Sequence, residues 1–353
     1  MTCGCRNKII TLLLALAAFC MLSLQAQSQE LERAQFLQRM HFAAKKHVAS
    51  FEQNLVLLEP FLTGKVSLNP CLNDPAHACY KPYNEALAAT YYDLAHSLYV
   101  LADLTKKNDW LEAAHKAAIF YRDGYVFPNE GKIPGYWIFT EGLLKHFELT
   151  KDPKSKEALL LLAQNAAFAR DTTDVAETVS SEQSREVAYV ILAYLRAEQL
   201  GATRRDRLEL LVEQALQHLK DWRTGKAEYV RPFMVALTAR ALAAYHDQAK
   251  IDPKMQKQIR IELILTLDML WESLWVPTAN AFRYTNRVMD DPEDMKPTAD
   301  LNLLIAPAYK WLFKSTQLPR FLDRAQKIFN AGAKTAFIDN PKQFNQQLFW
   351  PYF

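Results

Sequence analysis

Carboxylates, arginines and aromatic rings recur together at the starts of the apolar stretches of this sequence. In chain order the groups are Tyr83, Asn84 and Glu85, then Tyr136, Trp137 and Glu141, then Ser181, Glu182, Arg185 and Glu186. Tyr229, Arg231 and Phe233 follow, and then Arg283, Tyr284, Asp300 and Asn302. Such a mixture suits sugar chemistry. Aromatic faces stack on the apolar face of a pyranose, a carboxylic acid of raised pKa protonates a leaving oxygen, and a second carboxylate activates water or attacks. On this reading Glu141, Glu182, Glu186 and Asp300 are the catalytic candidates. Tyr83, Tyr136, Trp137, Arg185, Tyr229, Arg231, Tyr284 and Asn302 are the candidates for holding substrate, with the arginines suited to a uronate.

Each candidate also has a structural reading. Glu182 follows Ser180-Ser181 and fits a helix start, where acidic residues favour the dipole. Arg185 and Glu186 stand on an apolar stretch, where a structural ion pair would satisfy both, because buried charges need partners. Glu141 comes four residues after Trp137, which on one helix would set both on the same face. Asp300 and Thr298 are alternative caps for the apolar run that follows, and Arg231 could simply answer Glu228.

Other chemistries lack their residues. The eight histidines show no His-Glu-x-x-His pattern and no metal-ligand spacing, so no metal or other cofactor is expected. There is no Gly-x-Ser-x-Gly elbow, phosphate-binding glycine loop or dinucleotide fingerprint. A net charge of +3, falling to about +1 without Arg6 and Lys8, gives no basic stripe for nucleic acid. The one dense basic cluster, Arg204-Arg205-Asp206-Arg207, reads as a solvated turn between helices.

The elements that must position the candidates are helical. Only nine glycines occur in 353 residues, half of which are apolar, and a helix-turn-helix unit recurs every ~45–65 residues, the range of stacked or closed helical arrays. The turns at 104–109, 149–153, 200–203, 249–253 and 315–319 separate the partners, with proline or aspartate opening the second helix. First helices such as 187–194, 233–239 and 301–309 are apolar all round and must be buried. Second helices such as 207–216 and 321–329 carry one apolar stripe. An inner ring of buried helices wrapped by an outer amphipathic ring is an α/α toroid, here of about five to six hairpins and eleven helices, with a long N-terminal helix near 30–62. No linker interrupts residues 81–335, so residues 29–353 form a single domain. The long loops all lead into inner helices, which places function at that end.

Residues 1–28 read as an export signal: Arg6 and Lys8, an apolar run from Ile9 to Leu24, then small residues for cleavage. The run is short for a membrane span, so the mature chain is expected in the periplasm or medium, free of the membrane. Cleavage leaves Cys71 and Cys79 as the only cysteines, and an even count in an oxidising compartment favours a disulfide between them.

Three segments, Gly135–Leu144, Asp300–Tyr309 and Lys342–Gln346, together with the hairpin pattern, resemble the six-hairpin glycosidase-like superfamily. The resemblance covers most of the mature chain and implies an α/α toroid acting on an oligo- or polysaccharide, as a glycoside hydrolase or, with Tyr229 or Tyr284 as base, a lyase. A non-catalytic toroid binding a glycan or a protein partner is the alternative. Carboxylates all consumed by arginines or caps would favour it.

Overall fold

Aspartate and proline open helices where the sequence places them. The Asp152 and Asp252 carboxylates accept the backbone N–H groups of Lys154 and Lys254 at 3.0 and 2.9 Å, with Pro153 and Pro253 as first helical residues. This satisfies donors that have no partner inside the helix. The computed structural model describes the backbone of residues 3–289 and 291–353, and the side chains of 30–289, 291 and 293–353. The leader expected at 1–28 falls outside the residues with described side chains.

Among the described residues the chain is all-α apart from one hairpin of two-residue strands, Trp275–Val276 paired with Ala281–Phe282, and a single bridge between Arg283 and Pro297. It begins with α1 (Cys3–Leu62), α2 (Asn69–Asn73) and α3 (Tyr80–Ala89). Five hairpins follow: α4 (Leu94–Thr105) with α5 (Asn108–Phe120), α6 (Glu141–Thr150) with α7 (Pro153–Asn165), and α8 (Ser184–Gln199) with α9 (Asp206–Thr224). The last two are α10 (Pro232–His246) with α11 (Pro253–Leu274), and α12 (Asn302–Thr316) with α13 (Pro319–Thr335), before a short α14 (Pro341–Leu348). These fourteen α-helices among the described residues exceed the expected eleven by the short α2, α3 and α14, of 5, 10 and 8 residues.

Burial follows the apolar pattern. In α10 nearly every residue from Pro232 to His246 is buried, whereas α9 buries one side, with Leu208, Leu211, Val212, Ala215 and Leu219 inside. Neighbouring first helices touch: α4 with α6, α8 with α10, α10 with α12, and α14 with both α12 and α4. Between α6 and α8 the turn at Gly135–Trp137 packs on α8. The amphipathic helices lie against their partners, and α1 packs on α13, α14, α4 and α5. Arg39 joins the ends of the chain by donating to the carbonyls of Ala333 and Ala336. Cys71 and Cys79 form the expected disulfide.

Candidate functional site

Members of the second to fifth long-loop groups are linked by contacts near the N-terminal ends of the first helices: Tyr136 with Arg185, Glu182 with Tyr229 and Arg231, and Phe233 with Tyr284. The residues 135–140 run along α8 before α6 begins, so Trp137 lies not on the helix of Glu141 but on a separate 3-10 turn. The expectation of a shared helical face fails because Gly135 and the following non-helical residues bring the chain close to α8: a Cβ on Gly135 would stand 2.8 Å from Glu186 Cγ. The result is an aromatic rim. The Trp137 ring is 4.9 Å from Tyr91 and 5.5 Å from Tyr125, and the Tyr136 ring, 40% exposed, lies 5.3 Å from the Arg185 guanidinium. Lys342 stands 5.5 Å over Tyr91. Arg185 gives two hydrogen bonds, of 3.1 and 2.6 Å, to Glu186 Oε1.

A second cluster sits beside it. Ser180 Oγ accepts the Glu182 N–H, so the capping geometry expected there is present, with serine as the cap. The Glu182 carboxylate itself accepts the Tyr229 hydroxyl at 2.6 Å and lies 3.7 Å from Arg231, whose guanidinium covers the Tyr229 ring at 4.4 Å. The hydrogen bond to Glu182 raises the Tyr229 pKa above its ordinary value, since the phenol cannot ionise without losing it. Arg231 thus answers Glu182, while Arg287 stands by Glu228. Tyr284 stacks on Phe233 at 5.7 Å.

Beneath the rim lies a buried polar centre that sequence reasoning only partly caught. Glu141 is held by Arg196, with bonds of 2.9 Å to each carboxylate oxygen, and by Arg240 at 3.1 Å. Burial alone would raise its pKa, but the two guanidiniums outweigh burial and hold it down at about 2. Tyr92 and Asp93 both adopt left-handed backbone, φ 63° each, a region costly for non-glycine residues. This turns the Asp93 carboxylate inward to accept the N–H groups of His96 at 3.0 Å and Gly142 at 2.9 Å. Burial raises Asp93 to about 6, while burial and then the Arg240 charge lower His96 to about 4.

Gly142 is required here by close approach, since a Cβ would stand 2.7 Å from Ala95 Cβ and crowd Asp93. Gly142→Ala is expected to cost about 2 kcal/mol, the usual scale of overpacking, seen as a lower midpoint in denaturant unfolding. Arg240 could have been found as the one arginine inside an otherwise apolar helix. For Asp93 the only signal was a carboxylate at the start of an apolar run.

Three candidates are placed away from the rim. Tyr83 is 3% exposed and gives its hydroxyl to the Gly124 carbonyl, so it is a core residue. Asn302 is fully buried and donates to the Asn280 carbonyl. Asp300 caps no helix; it accepts the Phe337 N–H, and Thr298 makes no side-chain cap either, because the helix entry is a 3-10 turn tied to the chain after α13. The basic turn at 204–207 is a solvated face only in part, with Arg204 and Asp206 exposed. Arg207 is 7% exposed and donates to the carbonyls of Phe168 and Thr173, and Arg205 binds the Ala163 carbonyl and Asp171.

Among the described residues no three His, Cys, Asp or Glu side chains gather as a metal would need, and no helix is long and apolar enough to cross a membrane. Compared with known proteins, the chain matches no family model, no curated protein and no solved structure.

Proposed function

We propose that this is an exported α/α toroid that binds a glycan on the rim where its inner helices start, without cleaving it. The carrying observation is that each of the four carboxylates suited to catalysis already has a partner. Glu141 is taken by two arginines, Glu186 by Arg185, Glu182 by Tyr229 and Arg231, and Asp300 by a backbone N–H. Hydrolysis asks for two carboxyl groups ~5–10 Å apart and free to reach one bond. A lyase base is no better served, because the Tyr229 hydroxyl already donates to Glu182 and Tyr284 is stacked on Phe233. The ring itself is supported by the contacts of α1 with α13 and by α14 lying between α12 and α4.

The rim suits an acidic oligo- or polysaccharide in the periplasm or medium. Tyr136 and Trp137 offer faces for stacking, and Arg185, Arg231 and Lys342 offer positive charge beside aromatic rings. Tyr136→Ala is expected to weaken binding to a uronate-containing polysaccharide about tenfold, the effect of losing roughly 1.4 kcal/mol of stacking and cation–π contact, with unchanged thermal stability. Affinity electrophoresis with acidic and neutral polysaccharides, run beside assays for reducing ends and unsaturated products, tests this. Turnover that disappears in Glu182→Gln would replace binding with catalysis, and saturable binding without turnover is the expected result.

A further inference from the structure

Phe349, the residue after α14, sets its ring in the middle of the buried layer. It lies 5.5 Å from the Tyr92 ring, 5.6 Å from Tyr189 and 4.0 Å from the Arg240 guanidinium. Two strong donors beside it have nothing in the protein to bind. Tyr189 is 1% exposed and its hydroxyl is unpartnered; Arg240 is 6% exposed, gives Nη2 to Glu141 and leaves Nη1 without an acceptor. An unpaired buried donor is destabilising, and a phenyl ring accepts hydrogen bonds only weakly. The sequence thus keeps two costly groups pointed at one apolar side chain.

Arg196 and Arg240 are both ion-paired to Glu141, and the buried Asp93 carboxylate, whose oxygens take backbone N–H groups, also lies in the field of Arg240. The charges therefore balance, and what remains unanswered is hydrogen bonding: two unpaired donors match the two oxygens of a carboxylate, and the aromatic walls of Tyr92 and Tyr189 match a flat ring. The Phe349 side chain itself marks where that ring would lie.

Beyond the contacts of the Phe349 ring, the segment that carries it is held by side chains at its far end. Tyr352 stacks on Phe329 at 4.4 Å, Phe353 meets Phe329 at 5.0 Å and Arg33 at 4.7 Å, and Lys310 donates to the Tyr352 carbonyl. Each aromatic or cation–π contact of this kind is weak on its own, and Phe353 remains 38% exposed.

We propose that the space occupied by the Phe349 ring is a binding site for a small carboxylate carrying a flat ring, with the Phe349–Phe353 segment as its resident competitor. The ligand ring takes the place of the phenyl group, and its carboxylate accepts from Arg240 Nη1 and the Tyr189 hydroxyl. The segment withdraws as the ligand enters.

Benzoate is the probe, titrated by calorimetry into the mature wild-type protein, Phe349→Ala, and a Tyr352→Ala/Phe353→Ala double variant whose changes lie outside the site. The expected result is benzoate binding at least tenfold tighter in Phe349→Ala than in wild type, and at least threefold tighter in the double variant. Benzyl alcohol, which fills about the same volume without the charge, controls for an emptied apolar cavity that takes up a neutral ring on its own, and it should bind at least tenfold more weakly than benzoate because it cannot answer both donors. Equal binding of the two, or no gain in a folded Phe349→Ala, overturns the proposal. If Phe349→Ala does not fold, absence of a gain in the double variant overturns it.

Discussion

Replacing Glu141 by glutamine is expected to destabilise the protein by about 3–5 kcal/mol, the cost of breaking a buried ion pair by removing one partner. The side chain of Glu141 is 12% exposed and those of Arg196 and Arg240 are 18% and 7% exposed, so the uncompensated guanidiniums would sit where water reaches them poorly. The converse change is milder. Glu141→Leu combined with Arg196→Met and Arg240→Met removes all three members of the ion-pair network at once and leaves Asp93 to its backbone N–H partners, and replacing a whole buried network by apolar residues of similar volume is often neutral or stabilising. Guanidinium unfolding at pH 7, followed by far-UV circular dichroism, measures both. A single variant as stable as wild type would mean that water screens the network far better than its burial implies.

The second large effect is on acid stability. His96 and His146 are both lowered to about 4, His96 by burial and the Arg240 charge, His146 by burial and the His115 ring charge. Each imidazole therefore binds its proton more weakly in the folded chain than in the unfolded one. Their contribution is complete above pH 6.5 and is lost as the pH falls from 6.5 toward 4, by at most about 3 kcal/mol for each ring at ~1.4 kcal/mol per pKa unit.

Asp93 opposes them. Its pKa is raised from 3.8 to about 6, so protonation favours the fold and returns about 3 kcal/mol between pH 6 and 3.8. One carboxyl offsets one imidazole. His41, His47, His115 and His218 are also lowered, each first by burial, and so add to the loss. The net expectation is a protein about 3 kcal/mol or more less stable at pH 4 than at pH 7. Asp93→Asn should steepen the loss below pH 6, and His96→Asn should flatten it. Urea midpoints at half-unit pH steps check the slope, and a midpoint that rises on acidification would contradict it.

The helical class was legible because its signal is redundant: α10 is apolar on every side and α9 on one, and each hairpin turn carries proline, aspartate or glycine. The Cys71–Cys79 disulfide was legible by count. Partnership was not. Arg196 and Arg240 stand 55 and 99 residues from Glu141, and nothing local to any of the three announces the others. Trp137 and Glu141 were assigned to one helical face by spacing alone, and spacing is blind to the break at Ile138–Thr140 that separates them. Tyr83 and Asn302 have the right chemistry for a rim and the wrong depth, since their polar atoms are satisfied by the carbonyls of Gly124 and Asn280. Residue type predicts what a side chain can bind, and only packing decides whether anything can reach it.

The meeting of α1 with the far end of the chain also sets an order of events. Arg39 and Ala333 are 294 residues apart, and His47 binds the Ile338 carbonyl across 291. The entropy of closing so long a loop grows only logarithmically with its length, so the arrangement is thermodynamically ordinary; its cost falls on time. α1 presents Phe36, Met40 and Ala44, buried in the finished fold, to partners that include α13, whose Ala333 is made 294 residues after Arg39. Until α13 arrives, part of this apolar stripe lacks its cover, and contacts of such long sequence separation form slowly. Slow, late covering of α1 is thus the kinetic consequence of joining it to α13.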